Sequence, residues 1–188
     1  MERLANARSS STAPGTMQFL KPLEHRKFYQ SVIDAASVDA EWQWIIAIGN
    51  GVKAEDLHSV PQNVLVVKWA PQLSILERAH IMITHGGANT VKECIWFGVP
   101  MILFPMGLDQ PGTAARVAFH GFGLVGDIRR ISAGKIRSLV QRIATGPRFR
   151  SRVELMRERF RSVDSGIASR IIGSLMDQEI PAASSSGV

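Results

Sequence analysis

Short apolar runs alternate along this chain with longer stretches in which apolar residues return at helical spacing. Phe28, Val32, Ile33 and Ala36 recur every three or four positions and predict a helix within residues 19–38. "WQWIIAIGN" then reads as a strand closed by the turn pair Asn50-Gly51. The alternation repeats: "NVLVV" as a strand, "PQLSILERAH" as a short helix, "IMIT" as a strand, Ala88 to Phe97 as a helix, and "VPMILF" as a strand. Beyond Pro105 a loop leads into a helix through "QPGTAARVAFHG" and a short strand "FGLVG". Helices follow over 132–145, 148–161 and 164–178. Apolar strands alternating with helices predict a parallel sheet covered on both faces, an α/β doubly wound Rossmann-like domain.

The opening residues break this pattern. A doubly wound sheet begins with a buried central strand, yet "RSSSTA" ahead of Pro14-Gly15-Thr16 offers almost no apolar side chain. Strand one is therefore either absent or unusually polar. The sequence reads as a domain with its first strand missing or degenerate, a fragment or shortened reading frame that lacks sequence upstream. Residues 1–15 read as a polar N-terminal arm, 16–178 as the folded domain, and 179–188 as a tail disordered by composition.

At 188 residues the chain can bury one sizeable core but not two. Hydrophobic content is 45%, and no apolar stretch approaches the roughly 20 residues of a bilayer crossing. One cysteine, Cys94, excludes an internal disulfide, and the first residues lack the apolar run of a secretory signal, so the expected location is cytoplasmic. The net charge of +6 gathers late, in Arg129, Arg130, Lys135, Arg137, Arg142, Arg148, Arg150, Arg152, Arg157, Arg159, Arg161 and Arg170. Arginines spread around helices, some three or four residues from a glutamate, read as solvated helix surface. No aromatic platform accompanies them, so no nucleic-acid partner is expected, while peripheral membrane contact stays open.

Candidate chemistry lies at the predicted strand tips, where open α/β sheets bind ligands. "THGGANTVKE", residues 84–93, follows one strand. Gly86 and Gly87 allow a sharp turn and close approach, and the next helix presents unpaired N–H groups to an anion. His85, Asn89 and Thr90 could add donors, and Glu93 could accept from sugar hydroxyls. The same stretch also reads as an ordinary strand-to-helix turn with an N-cap, which Gly and Asn suit. In "KWAPQ", Trp69 could stack a base or anchor the core; Trp42, Trp44 and Trp96 read as core anchors. In "FPMGLDQPG", Asp109 and Gln110 could grip vicinal hydroxyls, or Asp109 could cap the helix that follows.

Taken together, "WAPQ", "HGGANTVKE" and "GVPMILFPMGLDQ" resemble the donor-binding, C-terminal half of UDP-dependent glycosyltransferases with two Rossmann-like domains. That family includes bacterial antibiotic and carotenoid glucosyltransferases and plant secondary-metabolite enzymes. The resemblance runs from about Ile45 to Arg130, and "DQPGTAARV" is nearest the carotenoid group. Carried onto this chain, it implies that Trp69 stacks on uracil, that the Ala70 backbone reads the base edge, and that Gln72 lies near the ribose. His85, Gly87, Asn89 and Thr90 match the diphosphate binders, Glu93 the ribose ligand, and Asp109 and Gln110 the pair on the donor sugar. Gly15 and Thr16 match a remnant of the first glycine-rich loop, also facing the diphosphate. The chain departs from the family in lacking an apolar strand before Gly15 and in having Met82 where a small or branched residue is usual.

The resemblance implies a hexosyltransferase that moves a hexose, glucose by preference, from a UDP-sugar to an acceptor hydroxyl with inversion. The acceptor would be a small molecule or a lipid. The general base belongs to an acceptor-binding domain absent from this chain, so the chain alone is expected to be inactive without that domain or subunit. His25, His58, His80 and His120 read as solvent-facing or packing residues. No cofactor and no metal are implied. The alternative is a non-catalytic nucleotide-sugar binding module or an inactive fragment.

Overall fold

In the computed structural model, which describes residues 8–12, 22–163 and 166–176, the apolar runs become strands of one parallel sheet. Its strands are β1 (Arg8–Thr12), β2 (Trp42–Ala47), β3 (Val64–Val67), β4 (Ile81–Thr84), β5 (Met101–Leu103) and β6 (Gly123–Val125), in the order β3-β2-β1-β4-β5-β6. The helices are α1 (Pro22–Ala36), α2 (Gln72–Leu76), α3 (Ala88–Phe97), α4 (Gln110–His120), α5 (Ala133–Ala144), α6 (Pro147–Arg161) and α7 (Ile167–Met176). This is the doubly wound architecture expected from the alternation.

Of the two alternatives for the first strand, the structure has the polar one. β1 is the "RSSST" segment, paired in parallel with β2 on one side and with β4 on the other; Ser10 stands opposite both Trp44 and Ile81. The strand is present in its degenerate form, and the stretch read as an arm contains the centre of the sheet. Hydrophobic periodicity could not find it, because a strand flanked on both edges is held by backbone hydrogen bonds that leave no trace in hydropathy. Gly15 and Thr16, like the tail from residue 179, lie outside the described residues.

Burial explains the other strands. β4 and β5 are buried at every position, as strands covered on both faces must be, while β2 alternates, with Trp42, Trp44 and Ile46 turned inward. One core layer joins Phe28, Ile33, Trp44, Ile136 and Val140; the other joins Leu76, Val91, Cys94, Val117 and Val153. α3 and α4 both stop at glycines in the left-handed region, Gly98 (φ 71°) and Gly121 (φ 71°).

Two expectations about side chains change. Trp96 is not a core anchor: it is 45% exposed, with the Arg161 guanidinium 5.0 Å from its ring centroid and Phe160 edge-on to it. Nor are the α6 arginines merely solvated. Arg161 donates to the Trp96 carbonyl at 2.8 Å and Arg152 to the His120 carbonyl at 3.4 Å, near the C-termini of α3 and α4, where cations are favoured. Arg150 donates to the His80 carbonyl at 3.0 Å.

Candidate functional site

Strand order reverses beside β1, which puts the crevice of a doubly wound sheet beyond the C-terminal ends of β1 and β4. The turn from β4 into α3 borders it. Thr84 is fully buried, and its Oγ1 accepts the Gly86 N–H at 3.3 Å. Gly86 has φ +88°, and a Cβ there would come within 2.8 Å of Leu103 Cδ2, so only glycine makes this turn without strain. Gly86→Val should therefore lower stability by about 1–3 kcal/mol, read as a drop in unfolding midpoint, and should weaken any ligand held by the turn.

Gly87 is the N-cap residue of α3, and among the described residues no side chain caps the helix there. The Val91 N–H bonds to the Gly87 carbonyl, so the amides of Ala88, Asn89 and Thr90 have no acceptor within the helix. The reading of an ordinary capped turn loses its main support, because Asn89 is exposed and satisfies none of these groups by side-chain capping. The His85 ring lies against Gly87, where a Cβ would sit 2.7 Å from Nε2. His85 is half-buried, and its Nδ1 is buried with no hydrogen-bond partner among the described residues. Burial holds its pKa below the ordinary histidine value, partly offset by the negative charge of Asp109.

On one flank Trp69 follows β3 and is 77% exposed, so it is not a core anchor. Ala70 and Pro71 lead from it into α2, whose first residue, Gln72, is half-buried against α3. Gln72 Nε2 donates to Thr90 Oγ1 at 3.4 Å and to the Glu93 carboxylate.

On the other flank, the loop after β5 is fixed by Phe104, whose N–H donates to the Thr84 carbonyl at 2.8 Å. Gln110 is buried, and its Oε1 accepts the N–H groups of Met106 at 2.8 Å and Gly107 at 3.4 Å. Its amide oxygen therefore shapes the loop, a role the sequence reading did not assign. Asp109 is exposed and occupies the N-cap position of α4, but its carboxylate makes no cap bond and stays open to solvent. Leu108 was also missed. It is 76% exposed with φ +55°, a conformation uncommon for a non-glycine residue, and nothing in "MGLDQ" signals it.

The predicted residues thus form one continuous edge, from Trp69 through Gln72, Glu93, Thr90 and His85 to Asp109 and Gln110. Two clefts at the opposite edge of the sheet, one lined by Trp42, His80 and Arg150 among others and one by Asp39, Gln141 and Thr145 among others, contain none of them. The remaining histidines behave as expected: His25 is buried, His58 and His80 are exposed, and His120 is exposed and stacked on Phe122.

With that geometry in view, the profile of the Erythromycin biosynthesis protein CIII-like C-terminal domain matches residues 30–171, more than half of the chain. The chain belongs to this family of glycosyltransferase C-terminal domains. It is 32% identical over 132 residues to the NDP-glycosyltransferase YjiC of Bacillus subtilis, covering 70% of this chain and 33% of that protein. It is 45% identical over 58 residues to the zeaxanthin glucosyltransferase of Pantoea ananas, covering 31% of this chain and 14% of that one. Among solved structures, the glycosyltransferase of kitacinnamycin superposes with a TM-score of 0.82 at 29% identity, covering 90% of this chain and 43% of that one. The calicheamicin glycosyltransferase CalG4 follows at 0.79 and 29%, covering 91% and 43%. The chain therefore spans about a third of the curated relative YjiC and less than half of these solved structures.

Proposed function

We propose that this chain is the donor-binding half of an inverting glycosyltransferase that takes a hexose, glucose in our reading, from a UDP-sugar and passes it to an acceptor hydroxyl. The observation that carries the proposal is the His85 ring, with a buried Nδ1, beside an α3 N-terminus, neither of them capped or partnered by a side chain among the described residues. An uncapped helix N-terminus attracts negative charge; here the segment carrying exposed Trp69 leads into α2, whose Gln72 bonds to α3, and the exposed Asp109 carboxylate acts on His85 from the other flank. A nucleoside diphosphate sugar has the matching parts in the same order: a flat base, a diphosphate and a polyhydroxylated ring.

Within this proposal the chain's own residues supply position and electrostatics. As the glycosidic bond breaks, charge grows on the β-phosphate. Fixed donors from His85, Asn89, Thr90 and the α3 amides then interact more strongly with the transition state than with the bound substrate. Gly87 lets the backbone approach the diphosphate. Trp69 stacks the base, the Ala70 backbone reads its edge, and Asp109 accepts from the sugar hydroxyls, while Gln110, whose oxygen is engaged by the Met106 and Gly107 N–H groups, offers the sugar only its amide N–H. No metal or cofactor takes part.

The acceptor, a small molecule or a lipid, and its proton-abstracting base belong to a partner domain or subunit. α7 supports the need for one. Its apolar side chains Ile167, Ile171, Ile172, Leu175 and Met176 are 51–79% exposed, and an apolar face of this size invites cover. The purified chain should therefore self-associate, and a double Ile171→Asp, Leu175→Asp substitution should return it toward monomer in sedimentation measurements. No helix among the described residues is long and apolar enough to cross a membrane. A cytoplasmic location, with membrane contact only through acceptor or partner, fits the proposal.

Calorimetric titration tests the donor assignment. Asp109→Ala should leave UDP affinity within about twofold and remove most of any extra affinity for UDP-glucose, since one hydrogen bond to a charged group contributes about 1.5–3 kcal/mol. Equal loss for both ligands would reject Asp109 as a sugar ligand. No UDP binding by the folded chain would favour the alternative of an inactive fragment.

A further inference from the structure

One contact at this edge is unlike the role expected of its residues. Gln72, matched to a position near the ribose, turns its side-chain amide toward α3 and meets Thr90 Oγ1 at 3.4 Å and the Glu93 carboxylate. Thr90 and Glu93 stand three residues apart and share one face of the helix. The orientation of the amide is forced, because an ionised carboxylate only accepts, so Nε2 must face it. A primary amide has two N–H donors, and this arrangement uses both.

Each bond has a consequence for a bound nucleotide. A threonine hydroxyl has one hydrogen. When Thr90 Oγ1 accepts from Gln72, that hydrogen is left to be donated elsewhere, and Thr90 is in the first turn of α3, where the helix amides are also uncapped. Glu93, with one oxygen held by Gln72, keeps the other for hydroxyls. Gln72 opens α2, three residues after Trp69, so the same amide ties the exposed ring's segment to the helix.

We propose that Gln72 is a positioning residue: its amide nitrogen orients the Thr90 hydroxyl as a donor to the diphosphate and fixes the Glu93 carboxylate for the ribose. The inference rests on the donor-site proposal and assigns to Gln72 a part in it that needs no direct contact with the nucleotide. It differs from the direct role, in which the Gln72 amide oxygen would accept a bond from the ribose.

The two roles separate in Gln72→Glu, which retains an acceptor oxygen and removes the donor. No residue of α2 titrates. Around Glu93, α3 carries Lys92 and Cys94, the preceding turn carries His85, and Asp109 lies across the site from His85. Burial and the Glu93 charge both push the Cys94 thiol up, keeping it protonated.

UDP affinity would be measured by calorimetry for the wild-type chain, Gln72→Glu and Gln72→Met from pH 8 to pH 5, with circular dichroism confirming folding. Taking the ratio to wild type at each pH cancels the titration of UDP and of His85. At pH 8 two ionised carboxylates would face each other without a donor, and Gln72→Glu should bind about 10- to 100-fold more weakly than wild type. As pH falls, a proton shared by the pair replaces the lost donor, and the ratio should return toward one. Gln72→Met should be weak throughout, with no recovery.

Wild-type affinity of Gln72→Glu at pH 8, or a defect that persists unchanged to pH 5 in the folded variant, would overturn the inference while leaving the donor proposal intact. Wild-type affinity of Gln72→Met would do the same. No binding by the folded wild-type chain at any pH would overturn both.

Discussion

Replacing His85 by alanine should cost more activity than any other single change at the site: transfer from UDP-glucose, with an acceptor-binding half supplied, should fall by about 10²–10³ in kcat. The expectation follows from the ring's position beside the α3 N-terminus and from its buried Nδ1, both without a side-chain partner among the described residues. Its pKa carries a further test. Burial keeps the free imidazole's pKa below the ordinary value of 6.5. In the range between that lowered pKa and 6.5 the unfolded chain binds the proton and the folded one does not, so His85's contribution to stability rises with pH there. It is lost as pH falls through the folded pKa. UDP works in the opposite sense, since a diphosphate beside the ring favours imidazolium and should bind more tightly as pH drops through the same window. The wild-type chain should thus lose stability and gain UDP affinity on mild acidification, and His85→Ala should lose the His85 part of both slopes. Unfolding midpoints and calorimetric titrations at pH 5, 6 and 7 would check this. If the slopes are unchanged in the variant, the imidazole does not face the ligand.

Much of the fold was legible because burial imposes period and length on five of the six described strands. "IMIT" and "VPMILF" are apolar at consecutive positions, and they occupy β4 and β5, which are covered on both faces. β1 was illegible for a physical reason. Its "RSSST" sequence lacks the apolar side chains by which buried strands are recognised, and what defines it is pairing with β2 and β4, a property of segments far away in the chain.

The site was legible where backbone geometry dictates residue type, and less so where side chains make the decision. Gly86 must be glycine at φ +88° in its close-packed turn, so the Gly-Gly pair announced a strand-to-helix approach. Gln110 gave no such sign: as one of an exposed-looking pair it read as a sugar ligand, yet it is buried with its oxygen on the loop's own N–H groups. Four tryptophans also shared one prior, that a large aromatic residue is buried. Trp42 and Trp44 obey it. Trp96 departs because Arg161 covers its ring at the surface, and Trp69 departs with nothing comparable among the described ring contacts.

That last difference sets up the second large effect. Trp69→Ala should weaken UDP binding by about 5- to 150-fold, the equivalent of roughly 1–3 kcal/mol for one base stacked on one aromatic ring. Because Trp69 is 77% exposed in the free chain, its removal takes little from the core, and the unfolding midpoint should stay close to wild type. Trp96→Ala provides the matched control. It deletes the same side chain from another exposed position, gives up the Arg161 contact at a cost of about 0.5–1 kcal/mol, and should leave UDP binding unchanged. Stacking is tolerant of the pyrimidine, so Trp69→Ala should weaken UDP and TDP in parallel, leaving base preference to groups that read the ring's edge. If it lowers stability and spares both nucleotides, Trp69 belongs to a surface that meets another part of the protein, and the base must be held elsewhere.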